Sequence, residues 1–227
     1  MASWMIHLRI ADTLLDRIAN LSAEEFIMGN IAPDSGVPNE DWSKFTPSTT
    51  VSHFRRDNGT GKKKVDISAF IDQYFTEEQR NSYDTKSYSF FLGYLTHLLT
   101  DCLWSDRIAH PTMDKYNANN DPKMVAKIKD DWYDLDYLYL RSNPDFRGFK
   151  IYKNIDRFPN TYMDIFSDDA FDNRRAYIVG FYEEENNNLD REYPYLTKEE
   201  ADRFVEQASK EILHTLEAYL HVRKVSA

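Results

Sequence analysis

Two residues that can bind a metal ion stand four positions apart in an almost entirely apolar stretch. His97 and Asp101 lie within YSFFLGYLTHLLTDCLW, residues 88–104, where this spacing puts both side chains on one face of a helix. Imidazole nitrogen and carboxylate oxygen are both ligands of Zn²⁺. Burying the carboxylate without a cation or hydrogen-bond donors would be costly. The pair therefore indicates a metal site, and the alternative is a His–Asp hydrogen bond in the core.

Three further residues are ambiguous singly and informative together. His7 falls on the apolar face of a predicted first helix, where a lone histidine is more often a core residue than a ligand. Asp34 follows Pro33 in a loop of ordinary turn composition, and His53 lies in a polar loop or extended segment. Combined with the pair in residues 88–104, these three side chains predict a buried metal cluster.

Other chemistries find little support in the sequence. It contains no Gly-rich phosphate-binding loop, nucleophilic serine motif or paired CxxC. Cys102, the single cysteine, excludes an intramolecular disulfide, favours a reducing compartment and is predicted to be a small buried side chain. His214 and His221 fall away from the apolar face of the predicted last helix, so we expect both to face solvent.

The hydrophobic periodicity predicts helices and no lasting strand alternation. The helices are predicted over residues 4–21, 66–75, 88–104, 123–141 and 168–185. Further helix starts are predicted from pairs with capping-box spacing, namely Ser22 with Glu25, Thr76 with Gln79, and Thr197 with Glu200. The last of these helices should run to about residue 222, and residues 143–160 should be irregular. The fold class is therefore all-α, a single-domain multi-helix bundle over residues 1–227.

Composition and charge limit the classes of function. Hydrophobic residues form 41% of the chain, enough for a folded core, and the formal net charge of −10 argues against double-stranded DNA as a partner. A cluster of divalent cations would make the site itself locally positive, so an anionic phosphate could still bind there. Charged residues within residues 1–21 argue against a signal peptide, and His97 with Asp101 argue against a transmembrane segment over residues 88–104. A cytoplasmic protein is expected.

Three segments resemble a known family. FIMGNIAPD (residues 26–34), SHFRRD (residues 52–57) and FFLGYLTHLLTD (residues 90–101), following an early helix with His7, resemble the zinc-dependent phospholipase C family. Single-strand-specific zinc nucleases are its distant relatives. The resemblance implies an α-helical fold in which three zinc ions, bridged by water or hydroxide and a carboxylate, hydrolyse phosphodiesters such as phospholipid headgroups.

The resemblance also implies roles for single residues. Asp34, His53, His97 and Asp101 would hold one zinc ion, and Asp101 would bridge to a second ion that His7 also binds. In the family, the mature N-terminal residue is a further ligand of this second ion. Asp34 is the expected catalytic residue, which would orient or deprotonate the attacking water from the edge of the site.

The third zinc site departs from the family's pattern. The histidine that follows the central helix is displaced to His110, nine residues after Asp101, and the family's later His–Glu pair is missing. We expect His110 to be a ligand, with a surface histidine before Pro111 as the alternative. Asp130 and Asp134, one turn apart, could supply oxygen ligands or belong to a solvated helix face. Two or three zinc ions are expected.

The expected function is that of a zinc-dependent hydrolase of phosphate esters, a phospholipase C-like phosphodiesterase that uses metal-activated water. Its partner would be a small-molecule phosphate ester or a phospholipid headgroup, and the fold alone does not decide between them. The alternative is a noncatalytic helical metal-binding protein with an incomplete metal cluster. A metal-free scaffold would require three histidines and two aspartates to cluster by coincidence.

Overall fold

The chain folds mainly into helices. The computed structural model describes residues 1–41, 43–57, 59, 63–186 and 188–220, with the backbone alone at Tyr219. Within these residues the α-helices are, in chain order, α1 (Trp4–Leu15), α2 (Ala23–Ile31), α3 (Thr49–Ser52), α4 (Ile67–Tyr74), α5 (Glu77–Ser82), α6 (Thr85–Trp104), α7 (His110–Lys115), α8 (Pro122–Ser142), α9 (Arg147–Asn154), α10 (Ala170–Glu183) and α11 (Lys198–Leu220). The all-α fold class is therefore confirmed.

Among the residues that the structure describes, four short strands form two antiparallel pairs around α3. β1 (Val37–Pro38) pairs with β2 (Phe45–Thr46), and β3 (Arg55–Asp57) pairs with β4 (Lys63–Val65). Strands of two or three residues leave no alternating pattern, which is why the sequence did not predict them. The two pairs precede and follow α3 along the chain, and they frame the segment that ends in His53.

Helices α2 and α6 cross at very short distance because each carries a glycine at the crossing. A Cβ atom on Gly29 would lie 2.0 Å from the carbonyl oxygen of Phe90, and one on Gly93 would lie 2.2 Å from the carbonyl oxygen of Phe26. Neither position has room for a side chain, so backbone packs directly on backbone. This crossing joins the helix that precedes Asp34 to the helix that carries the His–Asp pair.

Helix α1 is shorter than predicted. It ends at Leu15, where residues 4–21 were expected to be helical throughout. The backbone N–H groups of Arg17 and Ile18 both donate to the carbonyl oxygen of Leu14, and Asn20 has a φ of 61°, which asparagine tolerates better than most residues. Ile18 is still buried, so the apolar periodicity continues past the end of the helix.

Two of the three predicted capping boxes form. Thr76 and Gln79 bond each other's backbone N–H groups at the start of α5, and Thr197 and Glu200 do the same before α11. Ser22 is the N-cap of α2, so the predicted helix start is confirmed, but the capping box with Glu25 does not form. The Ser22 hydroxyl donates instead to the Glu25 carboxylate, so it leaves the backbone N–H groups of the first turn of α2 uncapped by this side chain.

The segment predicted as irregular contains helix α9. Gly148 disfavoured a helix in the sequence because glycine is a poor helix former. In the structure Gly148 and Tyr152, one turn apart, face the core, and a Cβ atom on Gly148 would lie 3.0 Å from the carbonyl oxygen of Leu8. The glycine therefore serves the close packing of α9 against α1.

Helix α11 covers α1 and α6 with the apolar face that its periodicity predicted. Phe204, Ala208, Ile212 and Leu216 are all buried. The predicted end of this helix near residue 222 lies outside the described residues. Buried apolar side chains from most of the helices form one core, although the single-domain organisation stays a prediction. None of the described helices combines the length and apolar character needed to cross a bilayer.

Candidate metal centre

Five of the sequence-predicted ligands converge at one buried place. His7 comes from α1, Asp34 from the 3-10 turn that follows α2 (Ala32–Asp34), and His53 from the residue after α3. His97 and Asp101 come from α6. The three histidines are fully buried, Asp101 is 1% exposed and the Asp34 side chain is 8% exposed. Long-range packing has thus assembled residues that are separated by up to 94 positions in the chain.

The potential ligand atoms form two groups that share His97. One group contains His7, His97 and Asp101, and the other contains Asp34, His53 and His97, with the ligand atoms of each group within 4.8 Å of one another. His53 Nε2 lies 3.2 Å from His97 Nε2, 3.3 Å from Asp34 Oδ1 and 3.7 Å from Asp101 Oδ2. Two atoms that bind one tetrahedral zinc ion are separated by about 3.4 Å. The second group therefore has the spacing of a zinc site.

The ligand atoms of the first group, His7, His97 and Asp101, also lie at short distances from one another. His7 Nε2 lies 3.5 Å from Asp101 Oδ1, and the rings of His7 and His97 stack at 3.8 Å between centroids. Asp101 Oδ2 faces the other group, 3.9 Å from His97 Nε2. The two oxygens of Asp101 therefore approach different histidines, as a bridging carboxylate requires.

Hydrogen bonds on the outer side of the rings orient two of the histidines. His97 Nδ1 lies 2.8 Å from the carbonyl oxygen of Asn30, which can only accept, so Nδ1 carries the proton and Nε2 keeps its lone pair. His53 Nδ1 lies 3.0 Å from the Ser52 hydroxyl. Such outer contacts fix the tautomer of metal-binding histidines. The Nε2 atom of each ring faces the cluster.

Several buried atoms of the cluster lack a hydrogen-bond partner among the described residues. They are both ring nitrogens of His7 and Oδ2 of Asp101. A buried polar atom without a partner costs on the order of 1–3 kcal/mol, and a charged one costs more. A cation bound between these atoms would remove the cost, and nitrogen and oxygen donors are the set that zinc accepts. The residues present therefore fit a zinc centre.

The electrostatics of the cluster favour ligand-ready protonation states. Burial, together with the neighbouring His7, lowers the pKa of His97 to about 3, so His97 is neutral at neutral pH. Burial raises the pKa of the Asp34 carboxyl, but the hydrogen bond with His53 and the neighbouring histidines outweigh it and hold this pKa below its usual range. The pKa of Asp101 is likewise lowered, because the amino group of Met1 and the nearby His7 and His97 outweigh burial. Both carboxylates are ionised and can bind a cation.

The first residues of the chain close one side of the cluster. The backbone N–H of Ala2 donates to Asp101 Oδ1 at 2.9 Å, and the amino nitrogen of Met1 lies 4.0 Å from the same oxygen. Ser3 is anchored by its hydroxyl, which donates to Asp136 Oδ1 on α8 at 2.8 Å. The segment before α1 is therefore held to the cluster at Ala2 and to α8 at Ser3.

A cavity of about 450 Å³ opens beside Asp34. Its lining includes Asp34 itself, the aromatic side chains of Trp4 and Tyr133, and the cationic side chains of Lys129 and Arg174. Asp34 thus belongs both to the buried cluster and to the wall of a cavity large enough for a small organic ligand.

The remaining predicted ligands stay apart from the cluster. His110 is exposed on α7 and lies 3.9 Å from Asp106, and the described residues bring no third ligand to this pair. Asp134 accepts hydrogen bonds from Arg191 at 2.7 Å and from Asn186 at 2.8 Å. Asp130 is exposed. The role of His110, Asp130 and Asp134 in a third zinc site stays a prediction. None of the three belongs to a group of metal-binding side chains among the described residues.

His214 agrees with the sequence analysis, whereas Cys102 is less buried than predicted. His214 is exposed on α11, as predicted, and His221 lies outside the described residues. Cys102 is half-buried, and burial raises its pKa to about 11, so the thiol is inert at neutral pH.

Sequence reasoning missed the residues that orient and surround the ligands. The carbonyl of Asn30 and the hydroxyl of Ser52 leave no motif, although Ser52 is the neighbour of a predicted ligand. Trp132 and Arg174 line the cavity, and the sequence analysis did not single out Arg174. Arg174 stands next to Arg175 in a polar stretch of the sequence, which gives no sign that it will be buried.

Comparison with known proteins agrees with this geometry. Neither the curated proteins nor the solved structures contain a match to this chain. The family model described as "Zinc dependent phospholipase C" matches residues 6–218, which include all five residues of the cluster. The match extends well beyond the three segments that carried the resemblance in the sequence. The chain therefore belongs to the zinc-dependent phospholipase C family.

Proposed function

We propose that this chain is a zinc-dependent hydrolase of phosphate esters, a phospholipase C-like phosphodiesterase. The observation that carries the proposal is the pair of ligand groups that share His97 and adjoin a cavity. A structural metal site is closed by its protein ligands, whereas a catalytic one needs a position that substrate can reach. Asp34 lies at such a position, because it contacts His53 and also lines the cavity.

The proposed ligand set draws on both groups, with His97 assigned to one ion and Asp101 shared between the two. Asp34, His53, His97 and Asp101 would hold one zinc ion, and Asp101 with His7 would hold a second. A third ion at His110 and Asp134 is part of the same proposal but has weaker support, since the two side chains bond other partners. Bound zinc ions would supply an activated water and stabilise negative charge on the phosphoryl group.

The protein's own contribution would come mainly from Asp34 and from the burial of the site. Because the pKa of the Asp34 carboxyl is lowered, this group is a weak base at neutral pH and is better suited to orient a water than to remove its proton. The fully buried histidines exclude bulk solvent from the inner side of the cluster. The substrate would approach from the cavity side, where Trp4 and Tyr133 offer apolar contact.

The alternative is a noncatalytic metal-binding protein, in which the same ligands would serve folding. The cavity beside Asp34 favours the hydrolase, because a purely structural metal site does not need a cavity in which a substrate can bind. The cytoplasmic location, and the choice between a phospholipid headgroup and a small phosphate ester as substrate, stay predictions.

The test combines zinc content with hydrolysis. Zinc per chain is measured by inductively coupled plasma mass spectrometry on protein purified without added zinc or chelator. The same protein is assayed on a water-soluble phosphodiester, on a phosphomonoester and on phospholipid vesicles. Bound zinc together with hydrolysis that a chelator abolishes and zinc restores supports the proposal. Zinc at full occupancy with no hydrolysis of any of the three would favour the noncatalytic alternative.

A further inference from the structure

Arg174 is a buried cation that forms no ion pair with an acidic side chain among the described residues. It lies on α10 and is 7% exposed. Burying a charged group without a counter-charge is strongly unfavourable, and proteins usually pair such groups. This arginine therefore carries a positive charge that no described acidic side chain neutralises, at the wall of the cavity beside Asp34.

The contacts that Arg174 makes use little of its hydrogen-bonding capacity. Its Nη2 donates to the carbonyl oxygen of Gly36 at 2.6 Å, and its guanidinium lies 5.4 Å from the centroid of the Tyr177 ring. A guanidinium has five N–H donors in a planar fork, and holding the Gly36 loop needs one of them. The fork geometry suits two parallel hydrogen bonds to the oxygens of a phosphate or carboxylate.

The charges around the cavity also favour an anionic ligand. Lys129 also lines the cavity, is exposed, and forms no ion pair with a described acidic side chain. Asp34 is the one acid among the described lining residues, and it is a proposed zinc ligand. Two cations without acidic partners thus border one cavity in a chain whose formal net charge is −10. A cavity of this kind attracts an anion.

Aromatic side chains form the apolar part of the wall. The Trp4 ring packs against Tyr133 and Phe181, each with 5.6 Å between ring centroids, so the three rings support one another. Such faces can contact the organic part of a ligand. They could also attract a quaternary ammonium group, but Arg174 and Lys129 would repel it.

We infer that Arg174 binds anionic oxygens of the ligand in this cavity, so that the favoured ligand is a phosphate ester with at least two negative charges and an apolar or aromatic organic group. The inference rests on the proposed function, because it assigns the substrate class of the same site. A phosphomonoester dianion and a phosphodiester with a further acidic group share this chemistry.

The first experiment is a calorimetric titration of the zinc-loaded protein with inorganic phosphate. Arg174→Gln is compared with Arg175→Gln, which removes the same charge from the next residue of α10, where the side chain donates to the carbonyl oxygen of Asp156 and does not line the cavity. We expect Arg174→Gln to weaken phosphate binding about 10- to 100-fold, through loss of charge-assisted hydrogen bonds. Arg175→Gln should bind phosphate like the wild type, and both variants should keep wild-type zinc content. Equal phosphate affinity in the wild type and Arg174→Gln overturns the inference.

A second measurement needs no variant and decides the matter even if Arg174→Gln fails to fold. The wild type is titrated with phenyl phosphate and with phosphocholine, a monoester that carries a quaternary ammonium group. We expect phenyl phosphate to bind about tenfold or more tightly, because two cations face the ligand. Equal or tighter binding of phosphocholine overturns the inference.

A further comparison distinguishes the two ligand types that share this chemistry. Tighter binding of phenyl phosphate indicates that the site prefers a phosphomonoester dianion, and tighter binding of carboxyphenyl phenyl phosphate indicates a phosphodiester with a second acidic group. Because both experiments measure binding, a protein that hydrolyses nothing but loses phosphate affinity in Arg174→Gln contradicts the proposed function alone. A zinc-dependent hydrolase whose phosphate affinity ignores Arg174 contradicts the inference alone.

Discussion

His97 on α6 donates its Nδ1 proton to the backbone carbonyl oxygen of Asn30 on α2, 2.8 Å away. This single bond fixes the tautomer of the one histidine that belongs to both ligand groups. It can form because the carbonyl of Asn30 is brought against α6 by the crossing at Gly29 and Gly93. The geometry of the candidate centre therefore depends on two residues that carry no functional group.

Widening the helix crossing should damage the centre. In Gly93→Ala the new Cβ would lie 2.2 Å from the carbonyl oxygen of Phe26, so α2 and α6 must separate. We expect a loss of about 1–3 kcal/mol or more in the free energy of unfolding and weaker zinc binding. Urea unfolding and zinc titration measure the two effects.

Gly180→Ala is the matched control for this change. It lies in α10 with nothing within 4 Å of the added Cβ, so it should stabilise the protein by about 0.5–1 kcal/mol and leave zinc binding unchanged. Wild-type zinc affinity in Gly93→Ala would show that the crossing does not position His97.

Removing a histidine of the cluster should release zinc. In the proposed ligand set His97→Ala takes a ligand from one ion and His7→Ala takes a ligand from the other. We expect both variants to retain less zinc per chain than the wild type and to unfold at lower denaturant concentration, since metal-binding energy is also folding energy. Mass spectrometry of the purified variants gives the zinc content.

The exposed His214→Ala on α11 serves as the control and should keep wild-type zinc. His110→Ala, measured in the same series, tests the third site. If His97→Ala kept as much zinc as His214→Ala, the assignment of the centre would be refuted.

The Ser52 hydroxyl should support zinc binding through His53. Metal binding at His53 Nε2 requires the proton on Nδ1, and the Ser52 hydroxyl, 3.0 Å away, can accept it. Ser52→Ala should therefore weaken zinc affinity about 10- to 100-fold, as is usual for groups that orient metal ligands. Ser209→Ala is the control, because Ser209 is also buried but its hydroxyl has no hydrogen-bond partner among the described residues. The same zinc affinity in both variants would exclude the orienting role.

The stability of the fold should depend on pH through Asp136. Burial raises the pKa of this carboxyl from 3.8 to about 7, against the opposing hydrogen bonds from Tyr182 and Ser3. A raised folded-state pKa means that the folded protein holds a proton that the unfolded chain releases. The resulting stability is fully present below about pH 4 and is lost as the pH rises through about 7.

Asp136→Asn should remove this dependence. Since one pKa unit corresponds to about 1.4 kcal/mol, the wild type should lose up to about 4 kcal/mol relative to Asp136→Asn across this range. Urea unfolding of both proteins at several pH values measures the difference, in which the titration of other groups cancels. A difference that stays constant with pH would show that folding does not raise the pKa of Asp136.

The sequence determined the class of the fold and one pair of candidate ligands for a local reason. A helix places residues four apart on one face, so His97 and Asp101 could be paired from spacing alone, and the buried face of α11 could be read from its apolar positions. The capping boxes at Thr76 and Thr197 are equally local. Where local signals conflicted with packing, they failed, as at Gly148 in α9 and at the early end of α1.

Only the tertiary structure decided how the ligands are grouped and what surrounds them. His7, His53 and His97 meet because three separate elements pack together, and a contact between distant elements has no period in the sequence to reveal it. The orienting carbonyl of Asn30 is backbone, which every residue has, so no residue type could announce it. The burial of Arg174 likewise depends on neighbours from other elements, since its charge alone predicts exposure. The sequence therefore determined which atoms could bind a metal, and the packing decided which of them meet, how they are oriented and that a cavity lies beside them.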